Sequence, residues 1–263
     1  MSGHHLRKTG IGLCFAAAIL LAACVPCAAA TNQEIDEAIK KGVAYLYSKQ
    51  DKDGTWERSP HPKLNKGKNP QLGIDQRQWG GLTSVVAYAL LASGENPQEQ
   101  KLKPALEFLQ TANVQSTYAL GMNSMVWLFV PTTPEIKRVV AHNARLLEFG
   151  MIKSGDGAGL YTYWIGTKEG TTDPKWTSAT VGFSPQHGQS MPYDLSNSQY
   201  GILGMWALAE SGAEVPSDYW RRAEEAWQKH QRPDGGWRYD AKPDRAESAS
   251  MTAAGIATLF ILQ

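Results

Sequence analysis

The chain has 263 residues, 42% of them apolar, and a formal net charge of +1, which suits a globular protein with a sizeable core. Setting aside Arg7 and Lys8 leaves 24 of the 26 basic residues against 25 acidic ones. A balance that close to neutral argues against bulk electrostatic binding to nucleic acid or an anionic lipid surface.

Residues 1–30 read as an export signal: Arg7 and Lys8 precede an apolar run from Ile11 to Ala23, too short to favour a spanning helix. Two cleavage modes fit. Ala28-Ala29-Ala30 suits an ordinary signal peptidase, whereas Leu21-Ala22-Ala23-Cys24 resembles a bacterial lipobox that would leave a lipid on Cys24. Either way the protein is expected to be exported, and to be periplasmic or lipid-anchored at the bacterial envelope. All three cysteines (Cys14, Cys24, Cys27) lie in this leader, so the domain expected over 31–263 has no disulfide, thiolate ligand or cysteine nucleophile.

Beyond the leader, punctuated helix patterns follow one another. Thr31-x-x-Glu34 predicts a capping box for a helix with Ile35, Ile39, Val43 and Leu46 on one face. Asn96-Pro97-x-Glu99, Thr133-Pro134-Glu135 and Pro216-Ser217-Asp218 open three more, and Gly94 and Gly212 are placed as helix stops. Between them lie four helices apolar on more than one face, over Leu82–Ser93, Ser116–Val130, Leu195–Ser211 and Ser250–Leu262, each starting near a hydroxyl: Thr83, Thr117, Ser198, Thr252. They suit an inner layer enclosed by the amphipathic ones. The expected fold is all-α, four outer–inner helical hairpins with little or no β-sheet. Two long segments, Glu57–Gly81 and Gly155–Asp194, break the rhythm; the second, with Tyr161, Tyr163, Trp164, Trp176 and Phe183, suits a lid or binding loop. The sequence stops at Gln263, directly after an apolar pattern, and further chain is expected beyond it.

Two stretches share one spacing. Lys41, Gly42, Tyr45, Leu46, Gln50, Gly54 and Trp56 correspond to Arg222, Ala223, Ala226, Trp227, Gln231, Gly235 and Trp237, with Gln, Gly and Trp at +9, +13 and +15 from the basic residue both times. Arg145–Gly159 reads as a degenerate middle copy, with Gly159 in the Trp position, and Lys103–Asn113 as another without the turn. This pattern resembles the QW repeat of squalene cyclases and the wider prenyltransferase/terpenoid-cyclase α/α-toroid superfamily. The segments Asp194–Tyr200 and Ser250–Gly255 look like bacterial exported proteins that carry such repeats. The resemblance implies a toroid of about six hairpins when complete; four would make a partial or open one. Gln50, Gly54, Trp56, Gln231, Gly235 and Trp237 are expected to be structural, the Gln reaching N–H groups at a neighbouring helix start and the Trp lying over it as a buried plate.

The resemblance carries no active site across. The Asp-x-Asp-Asp string of squalene–hopene cyclases, the Asp-Cys pair of oxidosqualene cyclases, the zinc-holding Cys of protein prenyltransferases and the Gly-Cys-x-Glu-Gln thioester are all missing. The remaining histidines, His61, His142, His187 and His230, have no metal-ligand spacing, and His142 and His230 read as surface residues. No cofactor or metal is expected. What is left is a mouth where turns and inner-helix starts converge: Asp75, Gln78, Trp79, Tyr118, Tyr161, Trp164, His187, Asp194, Asn197, Gln199, Tyr239 and Asp240. Asp75 and Asp194, with His187, are the candidates for acid–base chemistry, although Asp194 also reads as a helix cap. Expected function is therefore a non-catalytic binding or interaction module of the bacterial envelope, with a small molecule, glycan or envelope protein as partner and a membrane only through a lipid on Cys24. The alternative is a terpenoid-cyclase-like or glycan-active enzyme with an unrecognised carboxylate site.

Overall fold

The computed structural model describes residues 29–58, 78–114, 116–163, 165, 193–240 and 246–263. Cys24, Asp75, Trp164 and His187, and most of the leader and of the two long segments, lie outside them. The chain divides into two compact units, 1–42 and 43–263. The described part of the first is the start of helix α1 (Asn32–Ser48), which runs across the division and carries no buried residue. The capping box forms there: Thr31 N–H donates to Glu34 Oε2 at 2.8 Å, and Glu34 N–H donates to Thr31 Oγ1 at 3.2 Å.

The second unit holds the core. After the end of α1 come α2 (Gly81–Ala92), α3 (Lys103–Thr111), α4 (Thr117–Val126, prolonged by a 3₁₀ turn Trp127–Phe129), α5 (Pro134–Gly150), α6 (Leu195–Glu210), α7 (Ser217–Lys229) and α8 (Ala249–Leu262). There is no β-strand among the described residues; Asp194 and Asp240 form an isolated antiparallel bridge. The fold is all-α, as the spacing predicts.

Local chemistry explains most boundaries. Ser116, Thr133, Asp194 and Ser248 each accept a backbone N–H three residues on, at 3.3, 3.3, 2.7 and 3.1 Å, satisfying one of the orphan donors of a helix start. Gly94 and Gly212 sit at φ +97° and +96°. The next residue in each case, Glu95 or Ala213, donates back to the carbonyl of Leu90 or Leu208 at 3.1 and 2.9 Å, the bond pattern that ends a helix on a left-handed glycine. One start differs from expectation. Asn96 caps no helix; its Oδ1 takes the Gln98 N–H in a local turn, and α3 opens at Lys103 with Pro104 in its first turn.

Inner helices α2, α4, α6 and α8 form a row, each packed on the next, with α3, α5 and α7 against them. The row is tight because glycines meet backbone. A Cβ on Gly121 would lie 2.3 Å from Tyr200 O, and one on Gly204 2.7 Å from Gly121 Cα. One apolar cluster runs from Trp56 and α2 to Tyr219 and Ala223; a second gathers Leu160, Tyr193, Leu195, Trp227, Trp237 and Met251.

A single device recurs at three of the outer-to-inner turns, and at the fourth a side chain inside the inner helix makes the corresponding bond to the outer one. Trp56 Nε1 donates to Leu46 O at 2.8 Å and Trp237 Nε1 to Trp227 O at 2.9 Å, each ten residues back. Tyr161 Oη donates to Leu147 O at 2.8 Å, and Asn123 Nδ2 to Leu109 O at 3.3 Å. Each acceptor lies two or three residues before the end of its outer helix; Leu46 O and Leu147 O also accept the backbone N–H groups of Lys49 and Met151. The backbone N–H groups of Trp56, Tyr161 and Trp237 go to Thr83 Oγ1, Ser198 Oγ and Thr252 Oγ1 near the starts of the inner helices, at 3.1, 2.9 and 3.3 Å. One aromatic residue thus ties the end of the outer helix to the beginning of the inner one.

This geometry corrects the register of the middle copy. Gly159 (φ +88°) takes the place of Gly54 (+83°) and Gly235 (+90°), not that of the tryptophans. Asp51 N–H reaches Thr55 O, four residues on, and Arg232 N–H reaches Gly236 O, but Ile152 N–H reaches Leu160 O, eight residues on. The middle turn is therefore four residues longer, and Tyr161 stands where the others have Trp. Gln50 also differs from expectation. Its Nε2 donates to the carbonyls of Gly54 (2.8 Å) and Lys101 (2.6 Å), and Gln231 Nε2 likewise to Gly235 O at 3.0 Å; both glutamines hold carbonyls.

Candidate functional site

Three segments lie side by side at the start of α6. Asp194 N–H donates to Tyr161 O at 2.9 Å and Leu195 N–H to Tyr239 O at 2.7 Å, while Asp194 and Asp240 face each other across the isolated bridge. The 161–163 segment continues across the start of α4, where Thr117 N–H meets Tyr163 O at 3.1 Å and Thr117 Oγ1 meets Thr162 O at 2.7 Å. Tyr161, Asp194, Tyr239 and Asp240 are thereby brought together at the start of α6.

Much of this set serves the fold. Tyr161 is fully buried. Since its one proton goes to Leu147 O, the 2.9 Å contact with Tyr219 Oη is donated by Tyr219. Burial drives both hydroxyls well above the ordinary phenol range. Tyr161 is accordingly a structural residue and not a ligand contact. Asp194 is buried and caps α6: its Oδ1 accepts from Ser196 Oγ (2.5 Å), Asn197 N (2.7 Å) and Asn197 Nδ2 (2.9 Å), and its Oδ2 from Tyr163 Oη (3.2 Å). The same bonds fix the buried Asn197 amide, whose Oδ1 is left without a partner.

Other predicted residues stand apart from this group. Trp79 packs edge-on against Phe108 with ring centres 5.1 Å apart, and Gln78 Oε1 accepts from Ser116 Oγ at 2.7 Å. The half-buried Tyr118 ring meets Tyr200 at 4.1 Å, and burial, then the bond to Tyr200, pushes its hydroxyl up to about 12. Gln199 is half-buried on α6 and Tyr239 is exposed.

Beside Asp240 lies a depression of about 180 Å³ lined by Tyr193, Leu195, Lys229, His230, Gln231, Arg232, Arg238 and Asp240. Gln231 and Asp240 were legible as site or repeat residues; the rest were not. His230 is not a plain surface residue: its side chain is 10% exposed, edge-on to Tyr193 at 4.6 Å. Its Nδ1 lies 2.8 Å from Ala226 O, and because a carbonyl only accepts, Nδ1 carries the proton and Nε2 faces Asp156 Oδ2 at 3.8 Å. Lys229 Nζ pairs with Asp156 Oδ1 at 2.7 Å and, by that bond, holds the Asp156 carboxyl below its usual range. Burial, then the Asp156 charge, pushes the Tyr193 hydroxyl up to about 12. Glu247 Oε1 takes both Arg232 Nε (3.0 Å) and Arg238 Nε (3.1 Å). Lys229 pairs with Asp156, and Arg232 and Arg238 share Glu247, so the depression is rich in donors and acceptors and its described cations are held in ion pairs.

A larger cleft, about 720 Å³, lies elsewhere, between α5 and the 210–216 loop, with Lys137, Arg145, Glu148, Glu210 and Glu214 around Val140, Ala144, Met205 and Val215. No predicted site residue lines it.

Among the described residues no group of three His, Cys, Asp or Glu is arranged to hold a metal ion, and no helix is long and apolar enough to cross a membrane. Set against known protein families and curated proteins, the chain matches none.

Proposed function

We propose that this chain is an exported domain of the prenyltransferase/squalene-cyclase-repeat kind, with a toroid-like arrangement of hairpins, that binds at the bacterial envelope and does not catalyse. The observation that carries this reading is the state of Asp194. A general acid or base must exchange a proton with substrate, and both Asp194 oxygens are engaged, Oδ1 in capping α6 and Oδ2 with the Tyr163 hydroxyl. The depression beside Asp240 supports recognition of a hydroxyl-rich ligand such as an envelope glycan. Charged side chains there present donors and acceptors together, and Lys229, Arg232 and Arg238 are already held by carboxylates.

Calorimetric titration with chitotetraose and maltotetraose tests this. Saturable binding is expected, weakened about tenfold or more by Asp240→Asn or Arg238→Gln, as for loss of a hydrogen bond to a charged group. Absence of binding by both sugars, with the cores of the variants intact, would overturn the glycan reading.

One observation favours a second reading. The bridge sets Asp194 and Asp240, two carboxylate residues, opposite each other, the kind of pairing a glycan-cleaving enzyme employs. Release of reducing sugar from either oligosaccharide, lost in Asp240→Asn, would favour it over binding alone.

A further inference from the structure

The larger cleft, about 720 Å³ in volume, shares no lining residue with the depression beside Asp240. Ligand sites typically enclose about 300–1,000 Å³. One wall is a stripe of α5: Lys137, Val140, Ala141, Ala144, Arg145 and Glu148, at the i, i+3, i+4, i+7, i+8, i+11 spacing of a single helix face. The facing wall is the end of α6 and the loop after it, with Glu210 and Glu214. Val140, Ala144 and Met205, all buried, supply apolar lining. The exposed charges are sorted by wall, Lys137 and Arg145 on α5 and Glu210 and Glu214 across from them. Among the described residues none of these four is in an ion pair, whereas Arg138, on the same helix but not lining the cleft, pairs with Glu135 at 3.0 Å. The end of α6 adds to the acidic side, because a helix C-terminus carries partial negative charge. Glu148 closes the α5 stripe and has its own cation nearby: Lys153 Nζ donates to its backbone carbonyl at 2.5 Å.

We propose that this cleft is a second binding site, for a short peptide with free ends. Its ammonium group lies toward Glu210 and Glu214, its carboxylate toward Lys137 and Arg145, and an apolar side chain rests on Val140, Ala144 and Met205. The occupant follows from the charge pattern. An anion alone would match the α5 wall and be repelled by the other, and a cation alone would do the reverse. A neutral apolar molecule would use only the lining. A zwitterion satisfies both walls at once, and Arg145 has the planar fork that takes a carboxylate by two hydrogen bonds. The dimensions suit a few residues. Lys137 and Arg145 lie about 12 Å apart along the helix axis, a length that about three or four extended residues cover.

Calorimetric titration of the full chain with the tripeptide Ala-Leu-Ala tests this, beside its N-acetylated form, its C-terminal amide and triglycine. The free tripeptide is expected to bind saturably, one per chain. Each capped form should bind about tenfold or more weakly, as for loss of a hydrogen bond to a charged group, and triglycine, which lacks the apolar side chain, should bind more weakly too. Glu214→Gln should weaken the free peptide and leave the acetylated one unchanged. Arg145→Gln should weaken the free peptide and leave the amide unchanged. Both side chains are exposed, so helical circular dichroism should match wild type; Glu210→Gln and Lys137→Gln repeat the two arms should either variant fail to fold. Neither variant should alter the titration with chitotetraose, which keeps this site separate from the glycan reading. Absence of saturable binding by Ala-Leu-Ala overturns the proposal. So do capped peptides that bind as tightly as the free one, or variants of both walls that bind it like wild type.

Discussion

A tryptophan at the end of a turn can be held by its ring or by its N–H, and in this protein it is held by both. Trp56 and Trp237 are buried, and each indole donates to a carbonyl in the last turn of an outer helix. Replacing either by Ala removes a large buried ring and that hydrogen bond, so Trp56→Ala and Trp237→Ala should each lower unfolding free energy by about 3–5 kcal/mol, measured by denaturant titration. Tyr161→Phe keeps the ring but strips the hydroxyl from Leu147 O and Tyr219; a loss of about 1–3 kcal/mol is expected. The tyrosines also set an alkaline limit. Tyr118, Tyr161, Tyr193 and Tyr219 all ionise later in the folded protein than in the unfolded chain, chiefly through burial. The stability they contribute is present in full below their unfolded value, about 10, and is lost as pH rises from there through the folded values. Absorbance titration should show their phenolate signal appearing with unfolding and not before it. The importance of Trp56 and Trp237 was legible from spacing. Tyr161 was not read as their counterpart, because the middle turn is four residues longer and counting two residues on from Gly157 lands on Gly159.

Helix starts and stops were legible wherever a side chain within three residues settles them, as at Thr31, Thr133, Asp194, Gly94 and Gly212. The start of α3 was misread because Asn96 and Pro97 satisfy a local turn just as well as a cap, and only packing chooses between the two. Asp194→Ala should show the cap directly, destabilising by about 0.5–2 kcal/mol with α6 fraying first in amide exchange. Close packing between inner helices was invisible in the sequence, because Gly121 and Gly204 read as ordinary small residues until they meet. A Cβ on Gly121 would meet Tyr200 backbone, which cannot yield without moving α6. Gly121→Ala should therefore cost more than Trp56→Phe. Gly204→Ala acts on the same contact, so the two glycine variants together should cost less than their sum.

At the scale of the molecule, the alternation of amphipathic and apolar helices announced an all-α layered protein, because helical periodicity is written into every turn of sequence. The depression beside Asp240 was only partly announced: Gln231 and Asp240 were legible, but Tyr193, remote in sequence from the 229–240 stretch, meets them only in the fold. Chelators should leave the melting temperature unchanged, and a clear drop on adding EDTA would reveal a metal that contributes to stability. The central claim is that this protein recognises a ligand at that depression without transforming it. The most direct measurement is the proton NMR spectrum of the His230 ring, assigned with His230→Gln, during titration with chitotetraose. The account predicts a saturable shift of the His230 signals, abolished by Arg238→Gln, with the sugar recovered intact. An unmoved His230 signal, or sugar cleaved during the titration, would contradict it.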